Sequence, residues 1–254
     1  MIDVDSLYKS YGTNQVLKGV DLVVKQACIQ GLLGANGSGK STLISVLSML
    51  NQTDKGTVKI DKEVISVNKY EYRRKVGYVF EKPIYVDKFS AKEYLGFVSV
   101  LYQLPKRISK ERIIELLSFM DLPIDNKKYI ESYSKGMKNK VSLAAALIHQ
   151  PKYLILDEPF DGIDFMSVQK IIKLFRQMAD KGATILITSH QYDIIAEVCD
   201  KFALLKDGVI QFNLSMPELE ALAQQGFSKE KVPVKAYLES LMSNDNQTQT
   251  LSWL

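Results

Sequence analysis

The stretch Gly34-Ala35-Asn36-Gly37-Ser38-Gly39-Lys40-Ser41-Thr42 constrains this chain more than any other. It fits the pattern G-x-x-x-x-G-K-[ST], and its flanks fit as well: an apolar run, Ile29 to Leu33, precedes it and a helical pattern, Ser41 to Leu50, follows. Strand, glycine-rich loop and helix in that order demand an α/β core with a mainly parallel sheet. The glycines let the backbone from Gly34 through Ala35, Asn36, Gly37 and Ser38 to Gly39 wrap a phosphate with its N–H groups turned inward, and the helix N-terminus adds a favourable dipole. Lys40 is then expected to neutralise the β- and γ-phosphates of a nucleoside triphosphate. Ser41 is the expected Mg²⁺ ligand, and Thr42 completes the binding stretch.

Phosphate chemistry needs a second metal-side group, and Tyr153-Leu154-Ile155-Leu156-Asp157-Glu158 offers one. A run apolar on both faces reads as a strand buried on both sides, and α/β sheets bind ligands at the carboxyl ends of such strands. Asp157 is expected to hold Mg²⁺, and Glu158 to polarise the attacking water as a general base. Taken alone, this run fits a plain core strand as well; beside the glycine-rich loop it reads as part of a site. Another buried run, Ala183 to Thr188, ends in Thr188-Ser189-His190. That strand-end placement assigns the His190 imidazole to the γ-phosphate and the water.

The rest of the chain alternates in kind. Ile2 to Leu7, Val20 to Val24 and Thr57 to Val67 show strand periodicity and predict an N-terminal antiparallel β subdomain. Lys75 to Phe80 reads as a short strand. Ser90-Ala91-Lys92-Glu93 fits a capping box for a helix through about Tyr102, and Ile113, Leu116, Leu117 and Met120 are spaced for a helix after Ser109. A further helix is expected from Ser134 to about His149, so residues 84–150 form an α-helical subdomain. Val168, Ile171, Ile172, Phe175 and Met178 mark another helix, stopped near Gly182. Asp207-Gly208 joins Phe202–Lys206 to Val209–Phe212 as a hairpin. Residues 1–212 thus make the main domain. Residues 213–254 are expected to add two helices, from Ser215-Met216-Pro217-Glu218 and over Val234 to Leu241, and a loosely ordered polar tail, Ser243 to Ser252.

Composition narrows the classes further. Gly and Pro, 14 and 7 among 254 residues, are too few for a low-complexity chain. No apolar run reaches the length that spans hydrocarbon, and no basic segment ahead of an apolar one opens the chain, so residence in the cytoplasm is expected. The 2 cysteines, Cys28 and Cys199, form no cluster that would argue for zinc or a disulfide framework. A net charge of +4 with acids interspersed among the bases argues for a solvated surface, and no nucleic-acid partner is expected.

Asp157 lies 117 positions beyond Lys40, and between them stands Tyr133-Ser134-Lys135-Gly136-Met137-Lys138, which resembles the signature motif of ABC ATPases. Tyr11 resembles that family's adenine-stacking aromatic, and Glu81 stands where its Q-loop glutamine is usual. Phe160-Asp161-Gly162-Ile163-Asp164 is similar to its D-loop, and His190 to its switch histidine. The resemblance covers about residues 2–212. It implies an ATP sandwich, in which two such domains pair head to tail and each nucleotide lies between one subunit's glycine-rich loop and the other's Ser134 and Gly136. Asp164 joins the nucleotide-binding set on the same ground, and Glu81 joins Ser41 and Asp157 as an Mg²⁺ ligand. Two departures stand out: Lys135 replaces the first glycine of the signature, and Glu81 replaces glutamine. A carboxylate at 81 predicts a stricter Mg²⁺ requirement.

The function so implied is that of the ATP-binding and ATP-hydrolysing subunit of an ABC transporter, an exporter by analogy with bacterial subunits that share both departures. It would work as a homodimer, peripheral on the inner face of the cell membrane through a membrane-spanning permease on another chain. Residues 84–104 are expected to form much of the surface that docks on that permease, and for aromatics there such as Tyr85, Phe89 and Tyr94 a role as anchor and a place in the core fit the sequence equally well. The rival is a soluble ABC ATPase acting on ribosomes or nucleic acid. A single ATPase domain, near-neutral charge and the lack of a long coiled-coil insertion speak against it.

Overall fold

The computed structural model describes residues 1–66, 71–124, 128–190, 192–226 and 233–242. Val67 and the expected polar tail lie outside them. The first strands, β1 (Ile2–Tyr11) and β2 (Asn14–Val24), pair antiparallel. After β3 (Ile29–Leu33) and helix α1 (Lys40–Leu47), strands β4 (Lys55–Ile60) and β5 (Glu63–Val64) complete a four-stranded sheet in the order β2-β1-β4-β5. The alternating burial of β2 explains its sequence pattern: one face packs inward and the other meets water.

A second sheet carries the chemistry. Its order is β10-β9-β3-β8-β7-β6, from β6 (Val76–Val79), β7 (Tyr153–Asp157), β8 (Thr184–Thr188), β9 (Lys201–Lys206) and β10 (Val209–Ser215). All neighbours run parallel except β10, which returns antiparallel through Asp207 and Gly208. Both turn residues have positive φ, 52° and 82°, as a two-residue hairpin loop with the sheet's own twist requires. The three central strands β3, β8 and β7 are buried along their whole length, because each face is covered by its own hydrophobic cluster. One cluster joins the N-terminal sheet and α1; the other joins the helices that follow.

Those helices are α2 (Ala91–Leu101), α3 (Lys106–Phe119), α4 (Lys135–Leu147), α5 (Phe165–Asp180), α6 (Tyr192–Val198), α7 (Met216–Gly226) and α8 (Val234–Met242). The capping box at Ser90 is present: its side chain accepts from the Glu93 N–H while the Glu93 carboxylate takes the Ser90 N–H. Several boundaries differ from the sequence reading: β1 and β2 are longer than expected, and the run from Thr57 is two strands, parted at Asp61 and Lys62, both with positive φ. Helix α1 ends at Leu47 rather than Leu50, with the Ser48 hydroxyl turned back to the Ser45 carbonyl at 3.0 Å. Helix α3 starts at Lys106, since Pro105 takes the N-cap position with its φ already fixed. Ser109 lies inside the helix, where its hydroxyl meets that of Ser99 on α2 at 2.6 Å. Strand β10 runs on to Ser215, so the extension begins three residues later than expected.

Two further outcomes concern surfaces. Tyr85 and Tyr94 pack against the helical core, and Phe89 stands edge-on to Phe97 with ring centroids 6.1 Å apart. Exposed apolar side chains of this layer include Ile84, Phe97, Val100 and Leu101. Among the described residues no helix is long and apolar enough to cross a membrane.

Candidate active site

The site begins with a backbone conformation. Gly39, the N-cap of α1, has φ 107°, and a Cβ there would press to 2.9 Å from Leu17, so only glycine turns the chain into the helix at this point. The turn that precedes it is closed by the Ser38 N–H bonding the Ala35 carbonyl at 3.1 Å. Gly34 sits at its base, where a Cβ would lie 2.5 Å from the Leu205 carbonyl. The hydroxyl of Ser38 is buried without a hydrogen-bond partner among the described residues, a cost that a bound phosphate oxygen would remove.

Lys40 is only 7% exposed. Its Nζ donates to the carbonyls of Gly34 at 2.7 Å and Ala35 at 3.2 Å. Burial lowers its pKa, and the carboxylates of Glu158, Asp157 and Glu81 work against that shift. A cation held dry at the mouth of a helix is a strong phosphate ligand, because little water must be stripped from it on binding.

Opposite stand the ends of β7 and β8. Asp157 is buried, and its Oδ1 accepts the hydroxyl of Thr188. The Glu158 N–H is shared between the Thr188 carbonyl and Oγ1, each at 3.2 Å. Glu158 itself has φ 48°, an unusual conformation for a non-glycine residue, and it turns the side chain off the strand axis. Its Oε1 lies 3.0 Å from Nδ1 of His190, the residue to which β8 leads. Thr188 thus ties both acidic residues to the neighbouring strand, a role the sequence reading did not assign.

One cleft of about 510 Å³ gathers most of the expected residues: Tyr11, Asn36, Gly37, Gly39, Lys40, Ser41, Thr42, Glu81, Asp157, Glu158 and His190. Tyr11 is exposed at its edge, its hydroxyl held by the Asn51 amide at 3.0 Å. Gly34, Ala35 and Ser38 form the turn behind. Asp161 also lines the cleft and was not foreseen.

Ser134, Gly136 and Asp164 do not line this cleft. Ser134 caps α4, accepting the Met137 N–H at 3.2 Å. Gly136 lies so close to the following loop that a Cβ would sit 2.1 Å from the Gly162 carbonyl. Lys135 is paired with Asp161, and the Asn139 amide donates to the Asp161 carbonyl at 2.6 Å. Asp164 caps α5 through the Ser167 N–H at 2.9 Å and meets Nζ of Lys140 at 3.1 Å. The Ser167 contacts, ahead of Lys140, hold its carboxyl well below the usual range. The first turn of α4 and the loop 161–164 are therefore one packed unit.

Comparison with known proteins finds one family. Residues 17–161 match the family described as ABC transporter. The linearmycin resistance ATP-binding protein LnrL of Bacillus subtilis is 34% identical over 208 residues, which cover 82% of this chain and 67% of the relative. The bacitracin transport ATP-binding protein BcrA of Bacillus licheniformis is 31% identical over 252 residues, 99% of this chain and 78% of the relative. A solved ATP-binding subunit of an ABC transporter superposes with a TM-score of 0.85 at 26% identity, covering 96% of this chain and all of that one (100%). The fold is also that of the dimeric ATP-binding cassette MJ0796, itself bound to ADP and phosphate, with a TM-score of 0.78 at 23% identity over 85% of this chain and 99% of that one.

Proposed function

This chain belongs to the ABC transporter family as an ATP-binding subunit, an ABC ATPase, and we propose that it powers export through a membrane-spanning permease on another chain. The observation that carries the catalytic part is the contact of Glu158 Oε1 with His190 Nδ1 at 3.0 Å, in the same cleft as Lys40 and Asp157. Lys40 and the loop N–H groups hold the phosphates, Glu158 takes a proton from the attacking water, and His190 orients Glu158 and the γ-phosphate. Tyr11 stacks on the base.

Mg²⁺ fits the donors available. Ser41, Glu81 and Asp157 offer hard oxygen ligands in one cleft. Among the described residues no three His, Cys, Asp or Glu side chains enclose a cation, so the remaining ligands would be phosphate oxygens and water, the arrangement Mg²⁺ favours. Bound there, the ion neutralises charge on the phosphates.

Ser134 and Gly136 lie outside the chain's own cleft, which supports a second subunit as the source of the nucleotide they meet. Two copies of this chain paired head to tail would complete both sites, and their opening and closing would bias the permease between inward and outward states. Relatives named for linearmycin resistance and bacitracin transport support the export reading. The exposed Ile84, Phe97, Val100 and Leu101 take the place of the aromatics weighed from sequence as the permease-docking side chains.

The test is size-exclusion chromatography with light scattering on Glu158→Gln. With ATP and Mg²⁺ it should shift from monomer to dimer while turnover falls at least about a hundredfold, and chelating the metal should reverse the shift. Full turnover would remove Glu158 as the base. Co-purification of the wild-type chain with a polytopic membrane protein checks the partner.

A further inference from the structure

Helix α6, Tyr192–Val198, starts two positions after His190 and has only 7 residues. A helix that short does not hold itself, so its placement is set by what packs on it. Ile195 and Val198 enter the main core, and on the α5 side the Gln169 amide reaches the Glu197 carboxylate at 3.0 Å. The first turn, nearest His190, is held by the C-terminal extension. The Tyr192 hydroxyl contacts Sδ of Met216 at 3.8 Å, and Nζ of Lys235 meets Oδ2 of Asp193 at 2.7 Å.

The extension is anchored well enough to act on that turn. Leu219 and Ala223 of α7 and Leu238 of α8 are fully buried, and Leu219 and Leu238 belong to the same cluster as Ile195 and Val198. The Lys206 side chain also donates to the Leu241 carbonyl at 2.8 Å, fastening α8 to β9. Chain segments on both sides of α6 are thus fixed to the sheet.

We propose that α7 and α8 brace His190, with Met216 and Lys235 fixing the first turn of α6 and so holding the imidazole against Glu158. Lys235 is a positioning residue on this account and does not line the nucleotide cleft. The proposal rests on the reading of His190 as the partner of Glu158 in hydrolysis.

The experiment uses the full chain carrying Lys235→Glu, Asp193→Lys, or both. An exposed pair contributes little to stability, so unfolding temperatures should stay close to wild type. Each single variant should lower kcat about fivefold with KM for ATP within about twofold, and the double variant should recover most of the loss. Nitrogen NMR of the imidazoles provides a readout that general loosening does not mimic, because the chain has only 2 histidines, His149 and His190. The His190 signals should move in the single variants and return in the double, with His149 unmoved. His190 signals unmoved in both single variants, or both histidines shifting together with a fall in unfolding temperature, would overturn the brace. His190→Ala tests the underlying reading separately: full turnover in that variant would refute the catalytic role of His190 whatever the NMR shows.

Discussion

Helices α1 and α4 each open on a turn suited to an anion, with no acidic side chain in the first turn, and each carries a lysine at its first position. The two lysines are used in opposite ways. Lys40 is 7% exposed and folds back onto the carbonyls of its own loop, whereas the Lys135 side chain is 63% exposed and pairs with Asp161. Around α1 the chain also gathers Asp157, Glu158 and His190; around α4 it supplies the loop 161–164. The difference teaches that one helix mouth gathers its acids and its histidine from the same chain, whereas the other is packed on the loop 161–164 and, in the proposed head-to-tail pair, would meet the nucleotide of a second copy.

The largest effect expected from breaking this contrast is at α1. Lys40→Ala should weaken ATP binding about a hundredfold by calorimetry, because it removes a charge-assisted contact from a desolvated cradle. Next comes Gly136→Ala. The added Cβ meets a backbone carbonyl that cannot rotate away, so the α4 turn must shift, costing about 1–3 kcal/mol in unfolding free energy. Turnover should drop about tenfold or more while the isolated chain still binds ATP to within about twofold. An equal loss of binding would mean that the two mouths serve one site.

The far end of α4 gives a pH test. His149, just beyond the helix, stacks on Tyr102 at 3.7 Å between centroids, with Nε2 3.1 Å from the Val76 carbonyl. Burial pushes its pKa down to about 4 from 6.5. Above pH 6.5 the imidazole is neutral folded or unfolded; below it the unfolded chain gains the proton first, so stability falls until about pH 4. The loss should be on the order of 2 kcal/mol by denaturant titration, and absent in His149→Gln. Smallest of all, Lys135→Met should cost less than about 1 kcal/mol, since an exposed pair is screened by water. A turnover defect as deep as the binding defect of Lys40→Ala would show that Lys135 itself carries phosphate.

What was legible in the sequence was what chemistry writes locally. The loop Gly34 to Thr42 needs its glycines in order, and the runs Ile29–Leu33, Tyr153–Asp157 and Ala183–Thr188 are apolar on both faces because both faces are covered. Contacts made across the fold left no such trace. Nothing near Lys135 announces its pairing with Asp161, 26 positions on, and Thr188 reads as one more strand residue until β7 lies beside it. Ser109 resembles a helix start for the same reason: its hydroxyl serves Ser99 on another helix, which periodicity cannot reveal. The apolar surface at Ile84, Phe97, Val100 and Leu101 was missed because aromatic character drew the reading to Tyr85 and Tyr94, for which anchor and core fitted equally, and the fold uses those rings as core.

Thr188 has one more consequence. By holding the carboxylate of Asp157 and the N–H of Glu158 together, it welds the tips of two adjacent strands into a single rigid edge. A nucleotide that changes from three phosphates to two cannot then be followed by those tips moving apart. Glu81 lies outside the weld, just past the end of the edge strand β6, on the same cleft. The cleft thus has a stiff wall, made by β7 and β8, and a second wall at Glu81 that this weld does not reach.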